Sequence, residues 1–384
     1  MYLYVPALRM KAGELRGLRD LAADVATSVL PRLIVPPVNE RDDATQPQLI
    51  EGQSLPDVSA PLSGHWRGRE VLIEPTHLAA ELGHEDIERW LPGMFDRARA
   101  AGGLPIPLVQ MRDLISGALA GYRASIARTG DLRFGVVVSS SDIDDREALS
   151  MMLSAIGCLG VPAEQCMVIV DFHDADLTTP AIVAPIINGA LDALQQLAPW
   201  KQVVFQGTNY PETNPADEGV SCLVPRNEWS AWKQAVTFDP STADHLLFGD
   251  YAADCAKLSF GRKGGSGAIR HYRYSTPNDW YVARGSNSGT HDDVMREVCE
   301  RILGSGYFAG REFSSADDFI FLTAKGEATG PGSATTWRAV NTTHHITRVV
   351  TDIGLVRGRT FAPRLTRPLT VQPDLFASTL VRSV

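Results

Sequence analysis

Eight short apolar runs alternate with longer amphipathic stretches over the first 250 residues, and this rhythm restricts the fold more than any other feature. The runs are residues 2–8, 32–35, 70–74, 105–109, 133–138, 167–172, 202–206 and 245–249. Several are apolar at consecutive positions, as in FGVVV and MVIVDF, which is typical of a parallel strand buried on both faces. Eight strand–helix repeats favour a closed, TIM-like (β/α)8 barrel over a doubly wound sheet.

The stretches between the runs have apolar residues at helical spacing and predict helices. These are residues 13–30, 84–101, 113–128, 142–159 and 179–197. The segment 36–68 breaks the rhythm, because it is rich in Pro, Asp, Gln and Ser, and it is interpreted as a long loop at the barrel mouth. The barrel is therefore assigned to residues 1–256.

After Asp250 the pattern changes to that of an α+β extension, residues 257–354, which we expect to pack on or near the barrel mouth. Its predicted elements are strands 268–275, 280–283 and 318–323 and helices 292–303 and 335–353. Residues 355–384 have no clear period and are interpreted as an irregular tail.

Composition narrows the functional classes. The hydrophobic fraction is 44% and the net charge is −9, which excludes a strongly basic nucleic-acid binder but leaves room for a local basic patch. The five cysteines are scattered and form no CxxC pair, which fits reduced thiols better than a zinc site or a disulfide framework. The N-terminus lacks the features of a signal peptide, and no apolar run approaches a membrane span. We therefore expect a cytoplasmic protein without a membrane partner.

The densest acid and imidazole cluster follows the sixth run, in the sequence Asp171-Phe172-His173-Asp174. Functional residues of such barrels lie at the C-terminal ends of the strands. Asp171 could act as a general base or as a ligand of a divalent metal. Alternatively, it could cap a loop or pair with Lys11 or Arg9, which follow the first run.

Other strand ends supply further candidates. Glu74 and Asp250 could converge with Asp171 and hold Mg²⁺, since carboxylate oxygens are its preferred ligands. Alternatively, Asp250 could form a tight turn with an Asx hydrogen bond. The catalytic candidates are Asp171, Asp250, Lys11 and His173. The substrate-binding candidates are Arg9, Glu74, Asn209, Tyr251, Arg270, Arg284, Trp337, Arg338 and His345.

The extension is rich in arginine, aromatic and histidine residues, including Arg270, Arg284 and the pair Trp337-Arg338. Such side chains could bind an anion or stack on a base. The alternative is that they dock the extension on the acidic barrel. His344 and His345 are adjacent in a predicted helix, so their rings point about 100° apart and at most one of them faces a site.

An ordered set of segments resembles the beta protein family of bacterial and phage proteins. The segments are YVPALRMKAGE, VVFQGTNYPE, PRNEWSAW, LLFGDYA, IRHYRYST with WYVARG, YFAGREFSSADDFI and TTWRAVNTTHHITRVV. The resemblance implies a barrel protein carried by mobile or phage-related DNA, with a role in conflict between phage and host but no known mechanism. It emphasises Lys11, Glu14, Gly207, Pro211, Trp229, Gly249, Asp250, Tyr251, Trp280, Gly285, Trp337, Arg338 and His345.

Two hypotheses follow. The first is a hydrolase that acts on a nucleotide or a nucleic-acid end, for example a metal-dependent phosphodiesterase. Arg9, Lys11 and an arginine of the extension would hold the phosphate, and Asp171 or Asp250 would serve as base or Mg²⁺ ligand. This hypothesis predicts that these side chains converge in one pocket. The second is a non-catalytic recognition or interaction subunit, with a protein partner in an anti-phage or counter-defence system, which predicts an exposed patch of Trp, Tyr and Arg.

Overall fold

Eight parallel strands form one sheet whose strand order follows the chain. They are β1 Ala7–Arg9, β2 Arg32–Ile34, β3 Glu70–Glu74, β4 Leu104–Gln110, β5 Phe134–Ser139, β6 Cys166–Asp171, β7 Gln202–Gln206 and β9 Leu246–Gly249. Each predicted run overlaps one of these strands. The protein is represented by a computed structural model, which describes residues 2–37, 57–83, 86–116, 119–256, 270–330 and 332–361.

Hydrogen bonds near the N-terminus bring the two ends of this sheet together. Tyr4 forms a parallel bridge with Phe248, and the amide of Val5 donates to the carbonyl of Phe248 at 3.0 Å. Gly249 allows this approach, because a Cβ atom there would lie 2.8 Å from the carbonyl oxygen of Val5. With helices between the strands, the sheet is a (β/α)8 barrel with extra elements, and the predicted fold class is confirmed.

The strand residues alternate between the barrel interior and the surrounding helices. In β6, Met167 and Ile169 belong to the interior cluster, whereas Val168 and Val170 pack in the cluster that includes the helices. All six residues of β6 are buried, which explains its continuous apolar sequence. The same alternation turns Asp171, the last residue of β6, toward the barrel axis.

The helices of the barrel part are shorter than the predicted ones, because two of the predicted helices are divided. They are α1 Ala12–Arg19, α2 Ala23–Ala26, α3 Ser59–His65, α4 Thr76–Leu82, α5 Ile87–Ala100, α6 Met111–Ile115, α7 Leu119–Ser125, α8 Arg146–Leu159, α9 Pro180–Leu197, α10 Asn227–Phe238 and α11 Thr242–His245. The predicted helix 142–159 begins later, since Asp145 accepts a hydrogen bond from the amide of Ala148 at 2.9 Å and caps α8.

The predicted long loop 36–68 is not wholly irregular. Helix α3 lies inside it, and Leu62 of this helix is fully buried in the main core. Residues 38–56 of this loop lie outside the described part of the chain, as do 257–269 at the start of the extension and 362–384 of the tail.

The extension contributes β10 His271–Ser275, β11 Asp279–Arg284, α12 His291–Gly304, α13 Ser315–Ala324 and α14 Ala334–Val356. The predicted strand 318–323 is wrong, because this segment belongs to α13. Ser314 caps that helix by accepting a hydrogen bond from the amide of Asp317 at 3.2 Å, and Asp317 and Asp318 favour its first turn. A strand that the sequence did not reveal, β8 Ser221–Pro225, pairs with β11 in a three-stranded antiparallel sheet.

Helix α14 fastens the extension to the barrel by packing along α1. The approach is close, since a Cβ atom at Gly17 would lie 2.6 Å from the Cβ atom of Thr342. The hydroxyl of Thr343 donates to the carbonyl of Gly17 at 3.0 Å. Among the described helices, none is long and apolar enough to cross a membrane.

Candidate active site

A cavity of about 770 Å³ opens at the C-terminal ends of the barrel strands. Its floor is a layer of polar residues: Arg32 begins β2, Glu74, Asp171 and Gln206 end β3, β6 and β7, and Tyr251 lies just after β9. Interior alternation predicts this layer, because Leu72 and Val204 lie in the apolar interior and Glu74 and Gln206 follow them two residues later. The polar layer therefore replaces the uppermost apolar layer of the barrel.

Arg32 lies at the centre of this floor. It belongs to β2, and its side chain is only 3% exposed. Its Nε donates to Glu74 Oε2, and its Nη1 donates to Asp171 Oδ2 and to Gln206 Oε1, each at 2.7 Å. Gln206 is itself fixed, since its Nε2 donates to the carbonyl of Asp250 at 2.9 Å. One buried cation thus holds two carboxylates in defined positions.

Asp171 receives a second donor from the segment that follows β9. The hydroxyl of Tyr251 lies 2.8 Å from Asp171 Oδ1 and 2.7 Å from Oδ2. Burial, followed by the charge of Asp171, raises the pKa of Tyr251 well above its usual range, so the phenol stays protonated and remains a donor.

Glu74 remains ionised despite its burial. Desolvation alone would raise the pKa of this carboxyl, but the charge of Arg32 and the hydrogen bonds from Arg32, Gln110 and Thr76 lower it below its ordinary value. Gln110 Nε2 donates to Glu74 Oε1 at 2.6 Å.

Histidine and further carboxylates form the rim. His173 Nε2 lies 2.7 Å from Asp174 Oδ2, and its Nδ1 lies 3.7 Å from Asp171 Oδ1. The carboxylates that line the cavity are Glu74, Asp113, Asp142, Asp171, Asp174 and Glu212. Against these, the lining contains the arginines Arg32 and Arg112 and the histidines His77 and His173. The cavity is therefore acidic.

Asp250 lies outside the cavity lining and is fully buried. Its Oδ1 accepts a hydrogen bond from the amide of Ala252 at 2.7 Å, which is the Asx turn that the sequence left as an alternative. The same atom accepts from the hydroxyl of Tyr4, and His345 Nε2 lies 2.8 Å from Oδ2. The expected convergence of Asp250 with Asp171 in one pocket is therefore not seen.

Three other candidates also lie outside the cavity lining. Lys11 is the half-buried residue that precedes α1. Arg9 pairs with Glu14 at 3.0 Å and with Asp254 at 2.5 Å. The backbone N–H of Asn209 donates to Oε2 of the buried Glu228 at 3.1 Å, whereas the neighbours of Asn209 in the chain line the cavity.

The candidates of the extension contact protein groups, and none of its described residues lines the cavity. Arg270 donates to the carbonyls of Ser286, Ser288 and Gly289, and Arg284 donates to that of Ala216. Trp337 is buried in the core of the extension. Arg338 pairs with Asp254 at 2.6 Å. Both histidines of the predicted pair, His344 and His345, are fully buried, so neither ring is exposed.

The same geometry bears on whether the cavity could hold a metal ion. Over the described residues, no three His, Cys, Asp or Glu side chains are grouped so that they could hold a metal ion. Glu74 and Asp171 are near each other because both bind Arg32, whose positive charge occupies the place that a cation would take.

The family model of the Beta protein family matches residues 4–351, which is nearly the whole chain. The chain belongs to the Beta protein family. No curated protein matches it. In this Beta protein family member, Tyr251 lies on the cavity floor, whereas Asp250, His345, Trp337 and Arg338 hold the extension to the barrel or fill its core.

Sequence reasoning missed two residues that organise the mouth, Arg32 and Asp254. Arg32 carried a usable signal, since an arginine inside an apolar strand run must be paired if it is buried. Asp254 gave no signal, because its three arginine partners come from positions 9, 273 and 338.

Proposed function

We propose that the protein is a barrel hydrolase whose active site is the mouth cavity, and that it acts on a phosphate-bearing substrate such as a nucleotide or a nucleic-acid end. The observation that carries this proposal is the placement of His173 beside Asp171, on a floor where Tyr251 and Arg32 fix that carboxylate. An imidazole next to oriented carboxylates is a common arrangement for general acid–base catalysis.

In the proposed reaction, His173 takes a proton from a water molecule, whose oxygen attacks the electrophilic centre of the substrate. The bond to the leaving oxygen breaks, and the imidazolium returns the proton to that oxygen, so that one water is added across one bond. Asp171 and Asp174 flank the ring, at 3.7 Å from Nδ1 and 2.7 Å from Nε2. His173, placed beside Asp171, thus replaces Asp171 or Asp250 as the base of the sequence hypothesis.

The phosphate group would bind at the edge of the cavity and not on its floor. The six carboxylates of the lining repel an anion, and Arg32 is already neutralised by Glu74 and Asp171. Arg9 and Arg338, which the sequence suggested as anion ligands, lie together on Asp254, two residues before the cavity-lining Ala256. A divalent cation such as Mg²⁺ would then accompany the substrate.

The test is hydrolysis of a panel of nucleotides and short nucleic acids, with and without Mg²⁺ or Mn²⁺. Asp171→Asn and His173→Gln should each lower turnover about a hundredfold or more, since they remove the proposed base or its orienting partner. Asp192→Asn and His245→Gln are matched controls, because both side chains are exposed and distant from the cavity lining. Equal product from wild type, Asp171→Asn and His173→Gln would refute these roles.

A second candidate function, a recognition or interaction subunit in phage–host conflict, is favoured by an apolar patch. Phe238 of α10 is 87% exposed, and Ile182 and Ile186 of α9 are 65% and 54% exposed. Phe238 lines a groove of about 700 Å³ between these helices, and Ile182 and Ile186 follow its lining residues Ala181 and Pro185 in the chain. Exposed apolar clusters of this kind mark interaction sites. The patch differs from the expected one, because the tryptophans named in the sequence hypothesis are buried.

Phage plating on bacteria that produce the protein separates the two candidates. If the protein is a recognition subunit, Phe238→Ser should abolish any effect on plaque number, and Asp171→Asn should leave it unchanged. If the protein is a hydrolase, the two variants should give the reverse pattern.

A further inference from the structure

Three arginines from distant parts of the chain meet on one carboxylate beside the mouth. Asp254 Oδ2 lies 2.5 Å from Arg9 Nη2 and 2.6 Å from Arg338 Nη1, and its Oδ1 lies 2.8 Å from Arg273 Nη1. Burial would raise the pKa of the Asp254 carboxyl, but the charges of Arg338, Arg273 and Arg9 hold it well below its usual range.

The carboxylates in this cluster do not balance its arginines. Glu14 is the second acidic partner, 3.0 Å from Arg9 and 4.0 Å from Arg338. Three guanidinium groups therefore face two carboxylates. The cluster therefore has one excess positive charge. An anion that neutralises it would reduce the repulsion between the guanidinium groups.

The arginines also retain unused donors. In the described part of the chain, Arg273 and Arg338 each use only Nη1 in hydrogen bonds, which leaves Nε and Nη2 of both side chains without an acceptor. The two side chains are 19% and 29% exposed, so a solute can reach them. A crevice of about 40 Å³ lies beside them, also lined by His271 and Asn341.

The surroundings of the crevice are those of a cationic site. His271, a member of the crevice wall, has its pKa lowered to about 4, first by burial and then by the charges of Arg273, Arg284 and Arg338. The ring is therefore neutral near pH 7, and the positive charge of the site resides on the guanidinium groups.

The cluster is joined to the mouth cavity by two residues that line it. The hydroxyl of Thr208 donates to the carbonyl of Asp254 at 3.0 Å. The guanidinium carbon of Arg273 lies 4.6 Å from the centre of the Tyr210 ring. Thr208 and Tyr210 thus contact the arginine cluster and also line the cavity, so the two sites are neighbours.

We propose that Arg273 and Arg338, gathered by Asp254, form a binding site for a phosphate monoester group or a terminal phosphate. The guanidinium fork matches two oxygens of a phosphate, and two forks on one group would fix its orientation. This inference deepens the proposed hydrolase, on which it rests for the reaction: the phosphate is the handle by which the substrate is held, and the bond that breaks lies in the acidic cavity.

Isothermal titration with inorganic phosphate, adenosine monophosphate and adenosine tests the site directly. Wild type should bind the two phosphate compounds and not adenosine, and the affinity should fall as salt rises. Arg338→Gln should weaken phosphate binding about tenfold or more, because it removes charge-assisted hydrogen bonds. Arg146→Gln, at an exposed position of α8, is the matched control and should bind as wild type does.

Arg338→Lys is a control for loss of binding through misfolding, because it keeps the positive charge beside Asp254 but lacks the planar guanidinium fork. It should fold normally and bind phosphate with intermediate affinity. The site is refuted if wild type binds no phosphate, or if Arg338→Gln and Arg338→Lys bind it as wild type does.

Failure of the site and failure of the hydrolase are distinguishable. Phosphate bound by wild type and by Asp171→Asn, without turnover of any compound, would refute the hydrolase and retain the site. Turnover that depends on Asp171 and is insensitive to Arg338→Gln would retain the hydrolase and refute the site.

Discussion

His345 Nε2 lies 2.8 Å from Asp250 Oδ2, and both side chains are shielded from water. Burial lowers the pKa of His345 although Asp250 opposes this, so the ring is neutral and donates from Nε2. Its Nδ1 then accepts from the hydroxyl of Ser275 at 2.7 Å. Because the carbonyl of Asp250 also accepts from Gln206, which holds Arg32, this contact links the extension to the cavity floor.

Replacement of His345 by Gln should destabilise the protein by about 2–4 kcal/mol, because Asp250 stays buried with one donor fewer. Urea denaturation measures the effect, and His245→Gln is the control, since that side chain is exposed. Equal urea midpoints for His345→Gln and wild type would show that the contact contributes nothing to stability.

Loss of the charge at Arg32 should reverse part of the pH dependence of stability. The lowered pKa of Glu74 stabilises the folded state above its ordinary value of 4.5, and this stability is lost as the pH falls. In Arg32→Met the carboxylate of Glu74 has no counter-charge, so its burial favours protonation. We expect a loss of about 3–5 kcal/mol at pH 7 that becomes smaller toward pH 4.

Urea titrations of wild type and Arg32→Met between pH 4 and pH 8 (roughly the range in which carboxyls titrate when buried) would measure this difference. Arg112→Met is the control, because Arg112 lines the same cavity but its side chain is 76% exposed. A difference that stays constant with pH would contradict the assigned role of Arg32.

Glu228 should make the protein less stable as the pH rises. Burial raises its pKa to about 8 from an ordinary 4.5, against the opposing charge of Arg226. The folded state therefore holds a proton that the unfolded chain releases between these values, and stability falls as the pH rises through that window. Glu228→Gln should remove this loss, which amounts to at most about 5 kcal/mol.

Thermal or urea denaturation of Glu228→Gln and wild type from pH 5 to pH 9 gives the test, with Glu147→Gln at an exposed position as control. The Glu228→Gln and wild-type curves should diverge with rising pH. Parallel curves would mean that Glu228 ionises in the folded protein as it does in the unfolded chain.

The packing of α1 against α14 predicts opposite effects for two helical glycines. Gly17→Ala places a Cβ atom 2.6 Å from Thr342, so it should cost about 1–3 kcal/mol by overpacking. Gly157→Ala in α8 meets no atom within 4 Å and should stabilise by about 0.5–1 kcal/mol, because alanine favours the helix. Urea midpoints that shift in the same direction would contradict the close approach of the two helices.

The sequence predicted the barrel strands well, because a buried parallel strand has a local signature. Residues 167–172 are apolar on both faces, and β6 is buried along its whole length. The local pattern failed where it was ambiguous. Residues 319–322, FIFL, fit a strand or a buried helix equally well. The cap at Ser314 starts a helix before them, so they belong to α13. Strand β8 was not predicted, because it is short and half-exposed.

Asp171, Glu74 and Tyr251 of the cavity floor could be nominated from the sequence, since strand ends of a barrel meet at one mouth. The sequence could not tell which of the nominated residues face inward and which hold the extension. Asp250 and His345 pair with each other across 95 residues, and only the packing of α14 on the barrel brings them together.

What the sequence by itself determined is the eight-strand rhythm and the edge on which polar strand ends gather, because both follow from local periodicity. What only the tertiary structure decided is the pairing of charges: Arg32 with Asp171 and Glu74, and Asp254 with three arginines. These partners are distant in the chain, and a buried charge is stable only where the fold brings its partner within hydrogen-bond distance.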